Sequence, residues 1–139
     1  MPEVNKVPLK ASPTSYLPVK VEYRRKTLTH SYKSFESVSV LFTGSLQCKL
    51  CFVAIYRSGD EPMSLFLQEF NDFVESLHFT HKNVIFCGDF NIHCNDYSNT
   101  DVIQFYQILN SFSLEQFVLS PTHVMGNTID LVICNPEDL

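Results

Sequence analysis

The stretch Asn83-Val84-Ile85-Phe86-Cys87-Gly88-Asp89-Phe90-Asn91 is an apolar run that stops at a glycine and then presents a carboxylate and a carboxamide. Its length and composition predict a buried strand over 83–87. Side chains two apart on an extended backbone point the same way. Asp89 and Asn91 are therefore expected side by side, with Phe90 turned to the opposite face. A carboxylate can hold a hard cation or steer a water, and a neighbouring amide can donate to a phosphate oxygen. That pairing suits metal-assisted cleavage of a phosphodiester. An ordinary Gly-Asp turn would use the same residue types, so the flanking sequence has to decide between the two.

Upstream, 50–56 (LCFVAIY) is almost continuously apolar and reads as a central strand buried on both faces. Residues 35–42 alternate, with Val38, Val40 and Phe42 on one face and Ser37, Ser39 and Leu41 on the other. Gly44-Ser45 marks a turn, so these two runs form a hairpin. Val19 to Arg24 alternates weakly, as a strand does. Residues 1–19 are rich in Pro, Lys and Ser and are read as a loose tail, leaving 20–139 as the domain. Between the two apolar runs, Phe66, Phe70, Phe73, Val74 and Leu77 recur at spacings of three and four, predicting a helix over 64–77. Downstream, 88–99 is a polar loop with His93 and Asp96, residues that usually face water in such a loop. A helix over 101–110 follows, capped by Asn99 or Thr100. Strands over 114–119 and 127–134 close the chain, and Asp130 faces away from Ile129, Leu131 and Ile133. A lone Asp inside a strand is costly unless paired, which marks Asp130 as a functional candidate. The order of elements is that of an α/β protein.

The chain has 139 residues, of which 45% are hydrophobic, enough for one globular domain with its own core. No apolar run approaches the length of a membrane span. The N-terminal region carries four prolines and no apolar centre, unlike a secretory signal. An intracellular protein is expected, with nucleus and cytoplasm both open. Five cysteines without framework spacing point to free thiols. Cys48 and Cys51 are three apart at a strand start and have no second pair, which argues against zinc. Residues 34–139 hold three basic and thirteen acidic side chains, a balance of −10. Such a body is a poor surface for a polyanion, so tight DNA binding by this chain alone is not expected.

Four blocks in this order carry a resemblance: Phe52-Val-Ala-Ile-Tyr-Arg57, Gly88-Asp-Phe-Asn91, Pro121-Thr-His123 and Gly126-Asn-Thr-Ile-Asp-Leu-Val-Ile133. Together they resemble the endonuclease/exonuclease/phosphatase (DNase I-like) family, and most of all the endonuclease domain of non-LTR (LINE-type) retrotransposons. The resemblance covers about residues 21–133. It implies a partial two-sheet α/β sandwich with outer helices and a Mg²⁺-dependent, DNA-nicking phosphodiester hydrolase. It also implies roles: Asp89 as metal ligand and as orienting group for the attacking water, Asn91 and Tyr56 on the phosphate. Asp130 would orient a catalytic His, with Thr122 and His123 supporting.

The pattern departs from the family at several places. Arg57-Ser-Gly59 stands where Arg-Pro-Pro is usual. The metal-binding Glu and the first Asn of the family find no match, since Glu3, Glu22 and Asn5 lie in other contexts, and the Ser-Asp-His motif does not follow Asp130. The resemblance therefore implies an incomplete metal site at Asp89 and little or no activity from this chain, a copy shortened at both ends. The alternatives are a non-catalytic interaction module that self-associates through open sheet edges, and a phosphatase-like member acting on small phosphoesters.

Overall fold

The computed structural model describes residues 24–44 and 47–138, so the expected tail over 1–19 and most of the first weak strand lie outside the described residues. In chain order the elements are β1 (Arg24–Ser31), β2 (Glu36–Thr43), β3 (Lys49–Tyr56), α1 (Met63–Thr80), β4 (Val84–Asp89), α2 (Thr100–Ser111), β5 (Glu115–Gln116) and β6 (Asp130–Cys134), then a 3-10 turn over Pro136–Asp138. The six strands form one sheet in the order β1-β2-β3-β4-β6-β5. Only β3 and β4 are parallel, joined by α1, and the other neighbours are antiparallel. A parallel pair needs a long crossover, and the 18-residue α1 supplies it.

The stripe of α1 is buried as its periodicity predicts: Phe66, Phe70, Phe73, Val74 and Leu77, joined by Leu67. The core is built on phenylalanine. Phe66 and Phe70 stack at 5.4 Å, and Phe70 meets the edges of Phe86 and Phe90 at 5.9 and 5.8 Å. Phe105 of α2 lies 5.6 Å from Phe70 and closes the cluster. Each fully buried ring contributes about 1.5–3 kcal/mol by leaving water. Edge-to-face geometry adds about 0.5–1.5 kcal/mol per pair. Asn99 caps α2, its side chain accepting from the Asp101 N–H at 2.8 Å.

Pairing decides one face that alternation left open and corrects another. In β2 it is the serine face that turns to the core. Ser37 and Ser39 are buried, registered beside Ile55 and Val53 of β3, and Val38 points outward. Alternation reveals two faces but not which one is covered, and pairing with β3 decides it. In β3, burial on both faces is not seen. Cys51, Val53 and Ile55 are buried under the helices, whereas Phe52 is 39% exposed and Tyr56 55%. Both helices pack on the same side. Among the described residues the other side of the sheet is open, with Val38, Phe52, Ala54 and Val132 facing outward.

Element ends also moved. The strand expected over 114–119 shrinks to Glu115–Gln116. The Phe117 N–H still donates to the Val132 carbonyl, and the Gln116 side chain then turns back on Val118, whose N–H it accepts and whose carbonyl it donates to. The strand expected from 127 begins at Asp130, because Thr128 and Ile129 are held by loop contacts instead. Cys51, Cys94 and Cys134 are buried and Cys48 is exposed, and all five thiols are free.

Candidate active site

Register builds the site. Tyr56 of β3 sits beside Asp89 of β4, and Asp89 sits beside Asp130 of β6. Directly registered residues share a face, and neighbouring strands are about 4.8 Å apart. One row therefore crosses three strand ends on the open side of the sheet. Glu36 of β2, registered with Tyr56, extends the row by one strand. Glu36 carries no signal of its own in the sequence, because only the β2–β3 register brings it there.

Asn91 reaches Asp89 by a different route from the one expected. The strand ends at Asp89, and Asn91 has left-handed backbone geometry with φ of 52°. Its N–H donates to Asp89 Oδ1 at 2.9 Å, the closure of an Asx turn. The chain turns at Asn91 instead of staying extended, and it is the Asn91 main-chain N–H that meets the Asp89 carboxylate. Phe90 between them is fully buried, as alternation requires. The Asn91 amide donates to the Ser58 carbonyl at 2.7 Å. A carboxamide has two N–H donors, so one remains for another acceptor.

Gly88 sets the strand end. Its φ is 135°, and a Cβ there would strike the main chain of Ile55. Only glycine lets β4 approach β3 this closely before the turn. Across the loop, Gly59 has φ of 88° and abuts the Asn91 side chain, where a Cβ would collide with the amide. The glycine at 59, where the family pattern has proline, thus gives the Asn91 side chain its space, and the main-chain carbonyl of Ser58 is its acceptor.

Thr122 Oγ1 accepts from the Ile129 and Asp130 N–H groups at 3.0 and 3.1 Å, which ties the loop to the first residue of β6. His123 is exposed and closes its own turn, with Nδ1 accepting from the Met125 N–H. Asp130 is exposed at its strand end, so the cost of burying an unpaired carboxylate does not apply to it. His93 is exposed, and Asp96 accepts from Ser98 within its own loop. Asn95, not singled out in the sequence, bridges Gly126 and Thr128 and fastens the two loops together.

Arg57 is the residue that the sequence reading passed over. It follows Tyr56, is 4% exposed, and lies over the Phe66 ring with its guanidinium carbon 4.9 Å from the centroid. Burial pulls its pKa below the ordinary arginine value, and the nearby Asp101 acts in the opposite sense. Its two terminal nitrogens donate to the carbonyls of Phe90, Asn91 and Glu61.

Among the described residues, no three His, Cys, Asp or Glu side chains gather closely enough to hold a metal ion. Asp89 and Asp130 are a carboxylate pair in register, and Mg²⁺ needs near-octahedral oxygen ligation. No helix among the described residues is long and apolar enough to cross a membrane.

A family model described as endonuclease-reverse transcriptase matches residues 50–139, which include three of the four residues of the row, Tyr56, Asp89 and Asp130. The chain belongs to this family. Solved structures show the same fold. The endonuclease domain of TRAS1, a telomere-specific non-LTR retrotransposon, aligns with TM-score 0.60 at 15% identity, over 81% of this chain and 55% of that one. An endonuclease/exonuclease/phosphatase family protein from Bacteroides thetaiotaomicron aligns with TM-score 0.54 at 11% identity, over 84% of this chain and 52% of that one. The 3′ phosphatase NExo from Neisseria, bound to product DNA hairpin, aligns with TM-score 0.50 at 14% identity, over 81% and 67%. The chain thus spans between about half and two thirds of the length of these structures. No curated protein matches it. The resemblance seen in four short blocks therefore extends to the family and the fold.

Proposed function

We propose that this chain is part of a retroelement-type endonuclease that hydrolyses phosphodiesters in DNA, with Asp89, Asn91, Tyr56 and Asp130 as its reacting face. The observation that carries this reading is the registered row Tyr56–Asp89–Asp130 with Asn91 folded back onto Asp89. In this reading Asp89 accepts a hydrogen bond from the attacking water and directs it in line with the leaving oxygen. The free N–H of the Asn91 amide and the Tyr56 hydroxyl donate to non-bridging phosphate oxygens, where negative charge builds in the transition state. Thr122 holds Asp130 at the strand end, and His123 shapes the adjoining turn.

Mg²⁺ is the cofactor expected for the family, and when bound it supplies charge neutralisation at phosphorus. Among the described residues Asp89 and Asp130 are the registered carboxylates that would hold it, and two carboxylates bind it weakly, so slow nicking is expected. The acidic body makes DNA affinity weak and steeply salt-dependent. The test is nicking of supercoiled plasmid by the purified chain, beside Asp89→Ala and Asn91→Ala. Cleavage above background must vanish in both variants, and cleavage that survives in either refutes the assignment.

A second reading is favoured by the open sheet face. A sheet with one uncovered apolar side stabilises itself by packing against another layer. In this reading the chain is a non-catalytic module that self-associates. Sedimentation equilibrium across a hundredfold range of concentration separates the readings, since a monomer throughout contradicts the second.

A further inference from the structure

We infer that Arg57 is the positioning residue of this site, acting through Asn91; the inference rests on the reading of Asn91 as the phosphate contact. The guanidinium lies where two loops meet. One terminal nitrogen donates to the Asn91 carbonyl at 3.0 Å and to the Phe90 carbonyl at 3.4 Å, and the other donates to Glu61 at 3.3 Å. The first two carbonyls belong to the turn that carries Asn91. The third belongs to the loop that holds Ser58 and Gly59, the acceptor and the space for the Asn91 side chain. One planar fork therefore fixes both the backbone of Asn91 and the surface its carboxamide rests on.

Asn91 needs such a hold. The left-handed region costs an L residue energy, less for Asn than for most, and the conformation is held by what surrounds it. Here the hold comes from Asp89 on the N–H side and from Arg57 on the carbonyl side. Arg57 is also a costly residue to bury. Its Nε has no hydrogen-bond partner, and no salt bridge neutralises it within bonding distance among the described residues. Stacking on Phe66 and three main-chain carbonyls are its compensation. A cation kept here at that cost, with both terminal nitrogens aimed at the two loops of the site, is placed for geometry rather than for the core. Lysine cannot replace it, because one ammonium cannot span carbonyls on two loops with a planar fork.

The test uses ¹⁵N spectra and amide hydrogen exchange of the full chain, for wild type, Arg57→Lys and Arg57→Gln. The expected result is a shifted Asn91 side-chain NH₂ pair and an Asn91 backbone amide that exchanges about tenfold faster or more, with α1 amides still protected. Gly59→Ala gives the converse: the Asn91 carboxamide signal moves while the Arg57 guanidinium signals stay. Unchanged Asn91 signals in a folded Arg57 variant overturn the inference. So does equal loss of protection at Asn91 and throughout α1 in both variants, which would make Arg57 a general structural residue. Inorganic phosphate, titrated into wild type, tests the underlying reading separately. If phosphate leaves the Asn91 signals unmoved while Arg57→Lys displaces them, the phosphate contact fails and the positioning role stands.

Discussion

Gly88→Ala tests the packing that ends β4 and presents Asp89. The native φ of 135° belongs to a region that L residues rarely enter, and holding a non-glycine residue in such a region costs about 1–3 kcal/mol. The new methyl would also meet the oxygen, nitrogen and carbonyl carbon of Ile55, which are main-chain atoms of the neighbouring strand and cannot rotate away. Parting β3 from β4 loses ladder hydrogen bonds worth about 1 kcal/mol each. The total is about 3–5 kcal/mol, a large share of the ~5–15 kcal/mol that holds a domain of this kind. With an unfolding entropy of about 2.1 cal/mol/K per residue, the chain loses about 0.3 kcal/mol per kelvin near its midpoint. Gly88→Ala should then lower Tm by about 10–17 °C in a circular-dichroism melt. Gly126→Ala is the matched control. Its φ is 83°, but nothing lies within contact of an added Cβ. It pays strain alone, about 1–2 kcal/mol, or about 3–7 °C. Equal losses in the two variants would refute the close approach of β4 to β3.

Asp89 and Asp130 are like charges directly across a strand pair, so Asp130→Asn should raise stability by about 0.2–1 kcal/mol while abolishing any nicking. Urea unfolding at constant slope reads the first effect, and a loss of stability would show that the carboxylate is paired. Burial alone would raise the pKa of Glu69, but hydrogen bonds from Ser34 and Lys33, with the Lys33 charge, outweigh it and hold the carboxylate below its ordinary value. A depressed folded pKa stabilises above the unfolded value, and this is lost as pH falls through the folded one. Glu69→Gln should therefore cost about 1 kcal/mol at pH 7 and almost nothing near pH 3, an equal cost at both refuting the contact. Burial pushes the Cys51 thiol up to about 11 and Cys94 up to about 12, so neither forms thiolate readily. At pH 8, iodoacetamide should label exposed Cys48 first and leave Cys51 and Cys94 to the last, as peptide mass spectrometry would show.

What could be read from the sequence was what local pattern encodes. The Phe66 to Leu77 stripe gave α1 its buried face because a 3.6-residue period is visible in one segment. The long apolar runs gave β3 and β4 because a bounded apolar run is also visible within one segment. The short β5 and the late start of β6 were misread, because side chains of Gln116 and Thr122 take backbone groups that a strand would have used. The two-faced burial expected for β3 failed on one side. An apolar run shows what a strand can bury, not what covers it.

In the candidate site, Asp89 and Asn91 stood out by type, yet their neighbourhood depends on a turn at Asn91 that alternation does not foresee. The row with Tyr56 and Asp130 is a property of register across three strands, which pairs residues 33 and 41 positions apart. Arg57 was invisible for another reason. A lone arginine after a strand reads as solvated, and only the fold shows it buried beneath the site with its donors on three carbonyls.

The most direct test of the account is the nicking of supercoiled plasmid in Mg²⁺ by the purified chain, Asp89→Ala and a chelator control, at low salt and with folding verified for each sample. The expected rate is at or slightly above background for the chain, falling to background in both controls. Nicking well above background that persists in Asp89→Ala would contradict it, because the strand-end carboxylate would then have no part in the chemistry.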